Sequence, residues 1–376
     1  MSLETLFSSE KIGNVEIKNR IIRSATFTNS ATEDGYVTDR MIKYYTDLAE
    51  GGTGLIITGI ISIDEIGKAE RNQPCLFDDS YIKGQKKLVD AVHEYSNVKI
   101  APQLSHAGRQ NRTPVAPSAI LNQVNKRMPK ELTSEEIKKI TNNFIRASCR
   151  AYEAGYDLLQ LNGGHGWLLS NFLSPYTNKR TDKYGGSINN RTKILVDIYN
   201  GITDEIGKDF PIFIKLQTAD YIEGGLTLED GKKIAKIIVD TGYAAIEATG
   251  GSADTLINGE KPYPGLVVKS EQDENYFLPN IEKINPIMGS CKRILMGGVR
   301  SPIKAEELLK NEVIDFIAMA RPLICEPDLP NKWYNGDLST PLCNSCGVCF
   351  ASVRTGSVRC TIKEKLIQQR EKQEGK

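Results

Sequence analysis

Eight short apolar runs rich in β-branched residues recur along this chain, and an amphipathic stretch separates each from the next. The runs are Arg20–Ser24, Gly54–Gly59, Lys99–Leu104, Asp157–Leu161, Pro211–Leu216, Ala244–Thr249, Arg293–Met296 and Phe316–Ala320. Helical patterns cover Asp39–Glu50, Ser80–Tyr95, Asn190–Ile206, Thr227–Thr241, Pro279–Met288 and Pro302–Lys310. A further helix starts at Thr133, where Thr133 and Glu136 have capping-box spacing, and runs to Ala154. Strand–helix alternation of this kind predicts a parallel sheet, and eight units predict an α/β fold, the (β/α)8 TIM barrel. The alternative, a doubly wound sheet in two domains, needs a linker. No linker-like shift in composition precedes about residue 335. The expected division is a barrel over residues 1–335 and a short Cys-rich extension over 336–376.

Charge narrows the function classes. The 48 Lys and Arg nearly cancel the 47 Asp and Glu, leaving +1, so no global field points to nucleic acid. No apolar run approaches the roughly 20 residues that span a bilayer, and Met1–Gly13 lacks the apolar core of a secretory signal. A soluble, cytoplasmic protein acting on a small molecule, with no membrane or nucleic-acid partner, is the expectation.

Barrel chemistry collects where strands end. After the third run comes Gln103-Leu-Ser-His-Ala-Gly-Arg109; Gln103 offers a donor and an acceptor, which suits a planar heterocycle. His106 in the same segment reads as a core histidine. After the fourth run, Asn162 and His165 flank glycines and can converge on one oxygen to polarise a carbonyl. Lys215 sits inside an apolar strand and needs a partner: a bound anion, an electron-rich ring edge, or a buried carboxylate such as Asp220 or Glu247. The seventh and eighth runs end in Gly297-Gly298 and Ala320-Arg321, where barrels of this type hold phosphate.

These residues carry a resemblance. From about Phe7 to Trp333 the chain resembles the Old Yellow Enzyme family of FMN-dependent NAD(P)H:flavin oxidoreductases. The matching landmarks include Ile12-Gly13, Lys18-Asn-Arg20, Gln103–Arg109, Ala116-Pro-Ser118 and the dense run from Phe172 to Arg191. The resemblance implies FMN at the barrel mouth, with NADH or NADPH as reductant. Ser24, Ala25 and Thr26 would touch the flavin near N5, and Gly59 would lie close to the ring. Gln103 would contact the pyrimidine edge and Lys215 the N1–O2 side. Gly297, Gly298, Ala320 and Arg321 would hold the phosphate. Asn162 and His165 fall at the family's carbonyl-binding pair, which holds an α,β-unsaturated carbonyl for hydride transfer to its β-carbon.

The pattern departs at two places. The family's proton-donating Tyr is replaced by Trp167, whose indole N–H is no usable acid. Water, Tyr36 or Tyr176 would have to supply the proton; otherwise Trp167 is an apolar wall, or the substrate is a quinone that needs no such acid. The flavin-side segment carries Ala25 where the family commonly has Pro, and Phe27 where it has Thr or Cys. An altered flavin potential is expected, unless Thr26 or Thr28 restores the missing hydrogen bond.

Four of the eight cysteines, Cys343, Cys346, Cys349 and Cys360, crowd into 18 residues. Their spacing suits a 4Fe-4S cluster, a structural zinc, or unliganded thiols. Larger relatives, the 2,4-dienoyl-CoA and enoate reductases, carry an iron–sulfur cluster just after the barrel, with slightly longer later gaps, and then an FAD-binding region. This sequence stops at Lys376, so electrons for such a cluster would come from a separate redox partner.

The leading expectation is an FMN-dependent ene-reductase. An NAD(P)H:quinone oxidoreductase is the alternative, followed by an electron-transfer subunit using the C-terminal metal centre. A homodimer fits any of these.

Overall fold

A computed structural model describes residues 2–258, 265–353 and 355–365. Eight parallel strands close into a barrel: β1 (Ile21–Arg23), β2 (Leu55–Ser62), β3 (Lys99–Ser105), β4 (Leu159–Gly163), β5 (Ile212–Gln217), β6 (Ala245–Thr249), β7 (Lys292–Leu295) and β8 (Phe316–Met319). The ring closes where β8 pairs with β1, Ile317 opposite Ile21. The outer helices include α1 (Asp39–Glu50), α2 (Ile82–His93), α3 (Ser134–Glu153), α4 (Ile188–Ile206), α5 (Leu228–Thr241), α6 (Leu278–Ile284) and α7 (Pro302–Lys310). Each apolar stripe of these helices faces the sheet, as in α3, where Ile137, Ile140, Phe144, Ala147 and Ala151 are buried. The Thr133–Glu136 capping box forms as its spacing predicts. No helix among the described residues is long and apolar enough to cross a membrane.

One feature at the barrel's base lies outside the eight predicted runs. The strands Glu10–Ile12 and Val15–Ile17 form an antiparallel hairpin. Its Ile12 and Ile17 pack with Ile22, Leu55, Ile57, Phe213, Ile294 and Phe316, closing the barrel interior with an apolar layer. Three residues make each strand too short for a period-2 pattern to be read.

Above that base the inward side chains change character in register. Alternate residues of one strand face the same side. So Ala101, Phe213 and Ala245 belong to the apolar layer. Gln103, Gln160, Lys215 and Glu247 come next, all buried. Ser105, Asn162, Gln217 and Thr249 follow towards the strand ends. The fold therefore carries a polar floor on an apolar plug.

The C-terminal segment packs against the mouth. The Asn29 carboxamide donates to the Val353 and Gly356 carbonyls at 2.6 and 2.9 Å. The Val358 N–H donates to the Thr28 carbonyl at 2.9 Å, and Arg300 donates to the Pro341 carbonyl at 3.1 Å. The part of the charged tail beyond residue 365 lies outside the described residues, as do 259–264 of the β6–β7 loop.

Candidate active site

A cavity of about 630 Å³ opens at the C-terminal ends of the strands, within the range typical of small-molecule sites. Every site residue expected on the barrel lines it except Gly59. That expectation needs correction. β2 does not end at Gly59 but runs on to Ser62 after a register shift between Ile57 and Ile60. The Gly59 N–H donates to the Tyr45 hydroxyl at 2.7 Å, and a Cβ there would stand 2.5 Å from the Thr26 carbonyl oxygen. Gly59 thus lies behind the Ala25–Thr26 backbone, and Ile60 reaches the cavity in its place.

The floor is a hydrogen-bonded chain. Lys215 Nζ donates to Glu247 Oε1 at 2.9 Å and to Ser24 Oγ at 2.8 Å. The Ser24 hydroxyl donates to Glu247 Oε1 at 2.6 Å. Gln160 Nε2 donates to Glu247 Oε2 at 2.7 Å, and Gln103 Nε2 donates to Gln160 Oε1 at 2.6 Å. Of the two carboxylates considered for Lys215, the structure selects Glu247. Asp220 instead accepts bonds from Ser174, Gln217 and the Leu226 N–H.

Asn162 and His165 rise from the end of β4 above this floor. His165 has φ +58° and Gly166 φ +76°. Two successive left-handed residues reverse the chain and put the imidazole into the cavity wall, at a cost of about 1–2 kcal/mol for the non-glycine residue. His165 Nε2 lies 2.7 Å from the Thr249 hydroxyl, and Asn162 Nδ2 donates to Ser105 Oγ at 3.1 Å. Desolvation in the wall, with the Lys215 charge as second cause, pushes the His165 pKa down to about 3. The ring is neutral at physiological pH and supplies one N–H. His106 has a different place. It is buried away from the cavity, its Nδ1 accepts the Gly108 N–H at 3.0 Å, and Asp64 lies 3.6 Å away.

The end of the cavity expected to hold phosphate is built from backbone. Gly297 and Gly298 have φ +98° and +80°. A Cβ on Gly298 would stand 3.0 Å from the Tyr276 ring and from Val268. We therefore expect Gly298→Ala to destabilise the fold by about 1–2 kcal/mol through the left-handed strain alone, read by urea unfolding. The Arg321 guanidinium donates to the carbonyls of Gly265, Leu266 and Ser345 at 3.3, 2.8 and 2.9 Å. Among the described residues nothing accepts from its Nε or from one further N–H, which leaves both for an anion. Cavity size, the glycine cradle, the remaining Arg321 donors and the Gln103–Lys215 floor together fit an FMN.

The two departures resolve structurally. Trp167 lines the cavity and begins the short helix Leu168–Leu173. Phe27 also lines it, but the Thr26 hydroxyl turns to Arg23 Nη1 at 2.8 Å. Tyr36 stacks on Tyr81 outside the cavity, and Tyr176 does not line it either. Among the described residues the tyrosine that does is Tyr276, which the sequence reading missed because it lies in a long β6–β7 connection with no motif. Ser345 and Phe350 of the Cys-rich segment were missed for the same reason.

Cys343, Cys346, Cys349 and Cys360 line a second, small cavity that shares Arg321 with the first. Burial raises the pKa of the Cys343 and Cys349 thiols. Among the described residues, no three His, Cys, Asp or Glu side chains stand where they could hold one ion. The four thiols share this one cavity.

A sequence profile of the NADH:flavin oxidoreductase / NADH oxidase family matches residues 5–337. An NADH oxidase of Thermoanaerobacter brockii is 36% identical over 372 residues, covering 95% of this chain and 55% of that protein. An NADPH dehydrogenase of Listeria monocytogenes is 37% identical over 330 residues, covering 86% of this chain and 93% of that one. Among solved structures, a 2-naphthoyl-CoA reductase in complex with 2-naphthoyl-CoA superposes with a TM-score of 0.88 at 28% identity, covering 96% of this chain and 57% of that one. The chain thus spans little more than half the length of the NADH oxidase and of the 2-naphthoyl-CoA reductase. With the closed barrel, the glycine cradle and the matched profile in agreement, this chain belongs to the NADH:flavin oxidoreductase / NADH oxidase family.

Proposed function

We propose that this protein is an FMN-dependent NAD(P)H oxidoreductase that reduces a C=C bond conjugated to a carbonyl. The observation that carries the reading is the position of Asn162 and His165. Both face one cavity, above a floor whose free hydrogen-bonding groups suit a flavin's pyrimidine ring. FMN held in this cavity would supply the hydride chemistry, linking NAD(P)H oxidation to reduction of the β-carbon. Asn162 and neutral His165 donate hydrogen bonds to the substrate carbonyl, where negative charge develops. Lys215 would hold a cation near the ring edge where a reduced flavin gathers charge. Phe27, Ile60 and Trp167 give the cavity an apolar wall that excludes water and packs a planar substrate.

Anaerobic NADH or NADPH with cyclohexenone tests this. Alkene reduction is expected, and turnover of quinones with none of cyclohexenone or maleimide overturns it. Trp167 is the observation favouring that second reading, since it supplies no acid for the α-carbon. Restoring the acid as Trp167→Tyr is accordingly expected to raise enone turnover by about 10²-fold, the lower bound for a positioned general acid, with quinone turnover little changed.

The same reading extends to the cysteines. A metal held by Cys343, Cys346, Cys349 and Cys360 suits their thiol chemistry and their shared cavity. Metal analysis of anaerobically purified protein separates iron with acid-labile sulfide from zinc and from none. An electron-donating partner protein enters only with the first result.

A further inference from the structure

We propose that Glu247 is a positioning residue for the cofactor's pyrimidine ring. One buried carboxylate fixes the Lys215 ammonium and, through Gln160, decides which end of the Gln103 amide faces the cavity.

The chain of bonds has a single polarity, and Glu247 sets it. An ionised carboxylate only accepts. Oε2 therefore obliges Gln160 to present Nε2, at 2.7 Å. Gln160 is then left with Oε1 towards Gln103, which must present its own Nε2, at 2.6 Å. Among the described residues no donor reaches Gln103 Oε1, and Gln103 lines the cavity. That oxygen is the acceptor offered to a ring N–H. An amide at position 247 could donate instead of accept. Gln160 and Gln103 could then both reverse, and the cavity would meet an NH2 group where it now meets an oxygen.

The other oxygen of the same carboxylate acts on charge. Oε1 receives both Lys215 Nζ and the Ser24 hydroxyl. Glu247 is fully buried and Lys215 is 3% exposed, so water screens neither. The carboxylate holds the ammonium beneath the ring edge and also offsets its charge. Reduction adds negative charge to that edge, so removing the carboxylate favours the reduced cofactor.

This inference rests on FMN being the cofactor of the cavity, and the test separates the two. The probes are FMN and N3-methyl-FMN, which lacks the ring N–H. The readouts are the dissociation constant by fluorescence and the two-electron potential against a reference dye. Wild type is expected to prefer FMN by about tenfold, the value of one hydrogen bond to an otherwise unpaired acceptor. Glu247→Gln should abolish that preference and raise the reduced-to-oxidised ratio about tenfold, or about 30 mV for a two-electron couple. Gln160→Met breaks the relay but leaves the Lys215–Glu247 pair. It should lose the preference with the potential unmoved, and it decides the relay alone if Glu247→Gln does not fold. Either variant keeping the wild-type preference, or an unmoved potential in Glu247→Gln, overturns the proposal. Wild type that takes up no FMN overturns the cofactor reading, and this proposal with it.

Discussion

Lys215→Met is expected to lower the stability of the FMN-free protein by about 3–5 kcal/mol, the cost of leaving one member of a buried ion pair without its counter-charge. The Glu247 carboxylate is fully buried, and Lys215 is its only cationic partner among the described residues. The remaining Ser24 and Gln160 bonds are dipolar and do not replace a full charge. The loss should shrink in the double variant Lys215→Met, Glu247→Gln, which removes both charges together. Urea unfolding of wild type and the two variants measures this. A single variant as stable as wild type, or a double variant no better than the single, would show that the pair is not what stabilises the floor. FMN affinity should fall in the single variant and stay low in the double, because both lack the cation.

His165→Ala is expected to reduce enone turnover by about 10²-fold or more, the usual effect of deleting one donor to a developing oxyanion. The effect should appear in kcat more than in KM, because the hydrogen bond strengthens as charge builds on the carbonyl. With the pKa pushed down to about 3, the imidazole does not titrate between pH 5 and 8, so the wild-type profile should show no limb from it in that window. The same shift affects folding. The unfolded chain takes up a proton at this histidine near pH 6.5, whereas the folded protein does so only near 3. The histidine contributes no pH-dependent term above the unfolded value, and its contribution turns increasingly against folding as pH drops towards 3. His165→Asn should flatten that part of the acid limb. A profile for kcat that bends near pH 6.5 and straightens in His165→Asn would mean that the ring is charged and acts as an acid.

The barrel was legible because strand and helix periods differ and each unit repeats them. All eight predicted runs overlap observed strands, and α1 and α7 begin and end at the residues their patterns indicated. The site was legible where its chemistry sits at a strand end: Gln103, Asn162, His165, Lys215, Gly298 and Arg321 all face one cavity. Gly59 misled because glycine in an apolar run reads as a terminator, whereas here it sits at a bulge and the strand resumes. Glu247 was readable only as one of two possible partners, since burial does not show in spacing. Tyr276, Ser345 and Phe350 come from connections whose path depends on what they pack against, and no local pattern records that.

Ser345 and Phe350 have a consequence for time rather than affinity. They enclose part of the flavin cavity, and each neighbours a clustered cysteine: Ser345 precedes Cys346, and Phe350 follows Cys349. A cofactor behind that wall leaves no faster than the wall opens. Opening costs the Arg321–Ser345 bond and the Asn29 and Thr28 contacts that hold Val353, Gly356 and Val358. Residence of a bound flavin is therefore expected to depend on local opening of a segment outside the barrel, and a barrel lacking this segment is expected to release flavin sooner in a dilution experiment, even with the same glycine turn.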